Sequence, residues 1–251
     1  MNKKKWITTS ILPVMWLIYF LFEFVSGRII GGKEALSMIL LIIPFAFIGY
    51  VIYALWKKFK NGFSNKTLIK IFLFLMILDQ GIKFIIHKWF FNKSFNIIGN
   101  FLSFQPIINT DGSWLNVRFD VGLNFDFLII INLIALIMFL EFYRYYLSKG
   151  HKDFTADMCI VFIMAGALCS LIDKVFYGGS LDFIGISNLF IADFKDIYIN
   201  FAILFFLLCI YFNEYWKDEE ETSLKDDLIA IKNFFIFAKE DLLKNIIKIK
   251  R

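Results

Sequence analysis

The feature that most restricts what this chain can become is a succession of apolar runs. The first extends to about residue 25 from a basic start, and others cover about 36–55, 68–89, 125–142, 154–172 and 197–212. A helix needs about 20 predominantly apolar residues to cross the hydrocarbon core of a bilayer. Only structures that satisfy their own backbone hydrogen bonds persist there. The runs therefore predict an all-α membrane protein with about six transmembrane helices. Composition agrees: 59% of the 251 residues are hydrophobic, against about 45–50% in a soluble domain, and the charged residues fall between the runs. The first run is too long for a secretory signal and no A-x-A-like cleavage site follows it, so it reads as an uncleaved span.

The connecting segments suggest an orientation. Residues 1–5, 57–66, 144–152 and 217 onward carry several Lys or Arg each, and six spans put them all on one side. The bias of basic residues toward the cytoplasm then places both termini there, with the opposite side facing outward. On that outer side, residues 90–124 are mixed in character, with β-prone pieces at 101–104 and 106–108, and predict a small extracytoplasmic sheet. From residue 219 the sequence EEETSLKDDL offers Ser223 as a helix cap. Apolar residues then recur at Leu224, Leu228, Ile231, Phe235, Leu242, Ile246 and Ile249, as in an amphipathic helix lying on the cytoplasmic leaflet or docking under the bundle. A net charge of +5, with lysines beside apolar runs, points to anionic lipid as a partner and not to nucleic acid. Cys159, Cys169 and Cys209 lie within predicted spans without metal or disulfide spacing. His87 and His151 are far apart, so no metal is expected.

Chemistry concentrates in residues 166–200, GALCSLIDKVFYGGSLDFIGISNLFIADFKDIYIN. Carboxylates at the mouths of two apolar spans are costly near lipid and need a reason. Asp173 and Lys174 close the fifth run, with Ser170 on the same helical face. Asp182 sits between Leu181 and Phe183, where an acid can also simply be solvated at the bilayer edge. Asp193 and Asp196 precede the sixth run, where capping a helix N-terminus explains at least one of them. In the third run Asp79 and Lys83 are four apart and can pair, either to cancel their charges or to orient a site. Asn109, in INTDGSW, reads by itself as a turn residue. There is no GxSxG, no Cys–His pairing and no phosphate-binding glycine loop.

These pieces together resemble the prolipoprotein signal peptidases (signal peptidase II), bacterial membrane aspartyl peptidases, over about residues 68–212. LDQGIK resembles the family's Asp-x-x-x-Lys span, at Asp79 and Lys83. INTDGSW resembles its Asn-x-Gly loop, at Asn109, with one residue inserted before Gly112. CSLIDK resembles GNLIDR and carries Asp173, and SLDFI resembles VVDFI and carries Asp182. DFKDIYIN resembles the element holding the family's second aspartate, at Asp196; a different register would use Asp193 instead. The chain departs from the pattern at Ser170 and Asp193, where the family has asparagine, and at Lys174, where it has arginine. The segment between Asp182 and Asp196 is also short.

The resemblance implies a catalytic pair, Asp182 and Asp196, supported by Asp79, Lys83, Asn109, Ser170, Asp173, Lys174 and Asp193. It implies no cofactor, a bacterial cytoplasmic-membrane location with the site facing outward, and lipid-modified precursor lipoproteins as substrate. It also divides the chain into two accessory spans (1–66), a four-helix catalytic core (67–216) and a cytoplasmic amphipathic tail (217–251). The departures leave as one rival a catalytically inactive relative that binds lipoproteins, and the intramembrane acids and lysine leave as another a small ion- or proton-coupled transporter.

Overall fold

The computed structural model describes residues 3–110, 125–213 and 224–249. Its first span is helix α1 (Lys3–Val25). The second apolar run forms two helices, α2 (Gly32–Leu40) and α3 (Ile42–Lys58). The interruption has a local cause: Pro44 has no N–H for the carbonyl of Leu40, and its ring crowds that carbonyl. Helix α4 (Asn65–Ile85) continues into a π-helical turn (Ile86–Phe90), followed by strands β1 (Phe95–Ile98) and β2 (Leu102–Asn109). Next come α5 (Phe125–Ser148), α6 (Phe154–Tyr177), β3 (Ser180–Ile186), β4 (Phe190–Ala192), α7 (Phe194–Phe212) and α8 (Leu224–Ile249).

Among the described residues, five segments are long and apolar enough to cross a membrane: α1, α2–α3, α5, α6 and α7. Helix α4 is of similar length but carries Lys66, Lys70, Asp79 and Lys83. The last two of these are wholly buried within the protein, so the third expected span keeps this ionic pair inside the bundle. Ile130, Ile134 and Ile137 of α5 and Phe206 of α7 stay exposed, as lipid-facing side chains should.

The ends of the bundle separate cleanly. At one end the amide of Phe154 donates to the Lys60 carbonyl at 3.3 Å, Asn213 donates to the Tyr146 hydroxyl at 3.1 Å, and the Lys4 ammonium lies 5.2 Å from the Phe212 ring centroid. The sheet occupies the other end. It has four antiparallel strands in the order β1-β2-β3-β4. The sequence reading placed strands only before residue 109; the segment holding Asp182 joins them because β3 pairs along β2 from Leu102↔Ile186 to Asn109↔Ser180.

Two helix boundaries also differ from the reading, each for a visible reason. Helix α6 runs to Tyr177 and stops where Gly178 adopts φ 68°, the left-handed conformation that glycine takes without penalty. Asp173 and Lys174 are thus inside the helix and do not close it. Helix α7 begins at Phe194, set by a capping box at Asp193, so Asp196 lies in its first turn.

Helix α6 makes its most extensive contacts with α7. Gly166 permits this: a Cβ there would lie 2.9 Å from Ile199 and 3.2 Å from the Lys195 carbonyl. The main core joins Leu75, Phe154, Val161, Tyr198, Phe205 and Leu208. Helix α8 docks on α5, with Phe142 and Phe234 stacked at 4.2 Å and Arg144 paired to Asp241 at 2.7 Å. Gly112, Ser223 and the boundary at 216–217 lie outside the described residues, as do the side chains of Leu224, Ile246 and Ile249.

Candidate active site

The sheet end of α6 and α7 gathers the sequence-selected acids. Strand β3 presents Asp182 opposite Ile107. Its Oδ2 accepts from Asn109 Nδ2 at 3.0 Å, and its Oδ1 bonds the Ser180 hydroxyl. The chain turns, runs back along β4 and enters α7 through Asp193. Asp193 Oδ1 accepts from the Asp196 amide, and Asp196 Oδ2 accepts from the Asp193 amide, each at 3.2 Å. This reciprocal cap fixes both side chains. Asp182, Asp193 and Asp196 each offer a carboxylate oxygen, and these lie within 4.8 Å of one another.

Two buried lysines hold the cluster together. Lys83 lies 2.9 Å from Asp79, 2.5 Å from Asp173 and 2.5 Å from Asp193. Lys195 lies 2.6 Å from Asp193, 3.2 Å from Asp182 and 3.8 Å from both Asp173 and Asp196. Gln80 bridges Asp79 and Asp173, at 3.0 and 2.9 Å, and the Lys195 amide donates to Asp79 at 3.2 Å. Lys174 points to Ser170, whose hydroxyl and carbonyl it reaches at 2.5 and 3.4 Å. The structure thus joins Asp182, Asp193, Asp196, Asp173, Asp79, Lys83 and Asn109 in one network, while Ser170 and Lys174 form a separate pair beside it.

The charges do not balance. Asp79, Asp173, Asp182, Asp193 and Asp196 supply five carboxylates, against the three ammonium groups of Lys83, Lys174 and Lys195. In a desolvated site that surplus favours holding a proton on one acid. Burial pushes the Asp182 carboxyl above the usual carboxylate range, although Lys195 pulls the other way. At Asp193 burial acts in the same sense, but Lys195 and Lys83 outweigh it and hold the group low. Accessibility separates the acids further: the Asp182 side chain is 4% exposed and that of Asp196 42%. Three convergent carboxylates could also hold a cation, but the Lys195 ammonium already lies against all three and supplies that positive charge.

Lys195, Ser180 and Gln80 are site residues that the sequence reading missed. A signal for Lys195 existed, since a lysine between two aspartates at the entry to an apolar run carries the same burial cost as the acids. Beside the site, Ile82, Ile86, Phe104, Phe183 and Phe194 help line an apolar groove of about 520 Å³.

Fold and site define a multi-pass helical membrane protein whose ionisable groups are concentrated under a small sheet at one mouth of the bundle. Residues 71–212 match the family model described as Signal peptidase (SPase) II. The chain is 32% identical over 139 residues to a lipoprotein signal peptidase of Staphylococcus aureus (strain bovine RF122 / ET3-1), covering 55% of this chain and 78% of that protein. It is 30% identical over 138 residues to that of Staphylococcus carnosus (strain TM300), covering 54% and 80%. Among solved structures, a bacterial membrane enzyme determined by the in meso method at 2.3 Å resolution superposes with a TM-score of 0.53 at 26% identity, covering 66% of this chain and 99% of the other. The chain belongs to the signal peptidase II family.

Proposed function

We propose that this protein is a membrane aspartic endopeptidase that removes the signal peptide from diacylglyceryl-modified prolipoproteins, with Asp182 and Asp196 as the reacting acids. The observation that carries the reading is the approach of the Asp182 and Asp196 carboxylate oxygens to within 4.8 Å at the bundle mouth. Two acids this close titrate as a unit and share a proton. The roles follow access to solvent: Asp182, covered, holds that proton, and Asp196, half-exposed, is the partner that meets water. Asp196 takes a proton from water while the water oxygen bonds to the scissile carbonyl carbon, and Asp182 hydrogen-bonds the carbonyl oxygen. When the C–N bond breaks, the proton on Asp196 passes to the leaving nitrogen. Asn109 and Ser180 orient Asp182, and Asp193 orients Asp196. Asp79, Asp173 and Lys83 fix Asp193 from below.

The apolar groove beside Phe183 and Phe194 suits an acyl chain, so the lipid can remain in an apolar phase while the peptide bond reaches the acids. In this reading residues 67–216 form the catalytic core, 1–66 an accessory hairpin and 217–251 a tail. The lysine-rich end faces the cytoplasm with both termini, and the site faces outward.

Lys195, in ion-pair reach of both acids, favours a second reading, in which the pair stays ionised and the protein binds lipidated segments without cutting them. Incubating the purified chain with a lipidated precursor peptide separates the two. Product that forms with wild type and disappears with Asp182→Asn or Asp196→Asn supports the peptidase. Tight binding without product supports the second reading.

A further inference from the structure

The two N-terminal spans fall outside the residues matched by the family model, yet they reach the short hairpin that separates the two acids. Asp182 lies on β3, and β4 leads into Asp193 and Asp196. The register Ile184↔Ala192, Gly185↔Ile191, Ile186↔Phe190 therefore sets how β3 meets the first turn of α7. The turn is Ser187-Asn188-Leu189, and Ser187 has φ 50°, a left-handed conformation that is strained for a non-glycine residue and persists only where its surroundings over-determine it.

Most of that determination comes from the α1–α2 connection. Glu23, wholly buried at the end of α1, accepts from Arg28 Nη1 at 3.2 Å through both oxygens. So oriented, Arg28 Nη2 donates to the Leu189 carbonyl at 2.5 Å and the Asn188 carbonyl at 3.4 Å. The Ser187 hydroxyl bonds Glu34 of α2, and its amide donates to the Phe101 carbonyl at 2.7 Å. Leu189 is buried against Phe20, Ile29 and Met38 of the same hairpin. Trp16 Nε1 donates to the Met38 carbonyl at 2.7 Å and ties α1 to the end of α2.

We propose that Arg28, oriented by Glu23, is a positioning residue for the catalytic pair: it clamps the β3–β4 turn and fixes the hairpin register that sets the separation of Asp182 from Asp196. The inference rests on the reading of those two acids as the reacting pair. A strand that slips by one residue turns every side chain to the opposite face. Small misplacements of reacting groups cost rate steeply, up to about a hundredfold for 1 Å. The N-terminal spans then act on turnover through the turn and do not merely anchor the chain.

The test uses the full chain in detergent with a diacylglyceryl-modified precursor peptide. Arg28→Ala is expected to lower kcat roughly tenfold, leave KM within about twofold, and speed amide hydrogen exchange across residues 184–192. Arg28→Lys, which reaches one carbonyl but cannot also span Glu23, should restore part of kcat. Glu23→Gln, which keeps an acceptor, should do less harm than Arg28→Ala. Wild-type kcat in Arg28→Ala, or unchanged exchange in the hairpin, overturns the proposal. If Arg28→Ala does not fold, Arg28→Lys and Glu23→Gln decide by the same two readouts. Full cleavage by Asp182→Asn and Asp196→Asn would instead overturn the catalytic-pair reading, while hairpin exchange would still report the clamp.

Discussion

The two ends of α6 both bury aspartates, and they treat them differently. At the end away from the sheet, Asp153 caps the helix, accepting from the Thr155 and Ala156 amides at 2.8 and 3.0 Å and from the hydroxyls of Thr155 and Tyr146. Asp157 accepts from the Phe63 amide and the Tyr143 hydroxyl, each at 2.5 Å. The donors in these bonds are neutral and directional. At the sheet end the partners are lysines, and carboxylates outnumber them. Neutral donors saturate a charge and leave it nothing further to do. A cluster with surplus negative charge is left ready to take a proton. One end of the helix holds position, and the other carries the surplus charge that the proposed proton transfer requires.

The largest test of this contrast removes one acid from each end. Asp182→Asn or Asp196→Asn should lower single-turnover cleavage by roughly 10²–10⁴-fold, the usual size of general acid–base catalysis. Asp153→Asn should leave kcat unchanged. Equal effects at both ends would erase the distinction.

Next in size, Lys83→Met strands Asp79 and leaves Asp173 and Asp193 to Lys195 alone. It should destabilise the protein by about 3–5 kcal/mol, read by denaturation in detergent. Tyr143→Phe, at the neutral end, should cost less, about 1–3 kcal/mol for one hydrogen bond to a charged group. Asn109→Ala removes the bond to Asp182 and should lower kcat by roughly tenfold to a hundredfold, with KM little changed.

The span pattern and most of the acid cluster were legible in the sequence because both follow from local cost. A long apolar run has few alternatives to a membrane helix, and an aspartate at its edge stands out. What was not legible depends on distant partners. Strand β3 exists because β2, more than 70 residues earlier by the Asn109↔Ser180 pairing, lies beside it. Asp173 and Lys174 sit next to each other in sequence, yet one joins Lys83 and the other turns to Ser170. Lys195 could have been noticed, but its four carboxylate neighbours meet only when β4 brings Asp193 back to Asp182. The role of the N-terminal hairpin was equally hidden, since nothing in its composition marks Arg28 as reaching Leu189.

The smallest expected effects are in pH dependence, where Asp153 and Asp182 should differ in sign. At Asp153 burial raises the pKa, but the Thr155, Tyr146 and Ala156 bonds outweigh it and the folded value is lowered. Its contribution is therefore complete above the unfolded value of about 3.9 and disappears as pH falls through the folded value. Asp182 is raised, so folding favours its protonated form, and the ionised form is disfavoured as pH rises past the unfolded value. Thermal unfolding from about pH 3 to 7 should show Asp153→Asn losing roughly 1 kcal/mol, mainly near neutral pH. Asp182→Asn should be at least as stable as wild type near neutral pH, with any difference shrinking in acid.

The unequal exposure of the two acids has a consequence for direction. Because Asp196 is open and Asp182 is covered, solvent enters the pair from one flank, and in the proposed peptidase reaction the attacking oxygen would arrive on that flank. A polypeptide threaded backwards would show its amide nitrogen where the carbonyl belongs. On the proposed mechanism the site would read chain polarity before side chains, and a mimic assembled in reversed sequence order should be a poor blocker even with every substituent preserved.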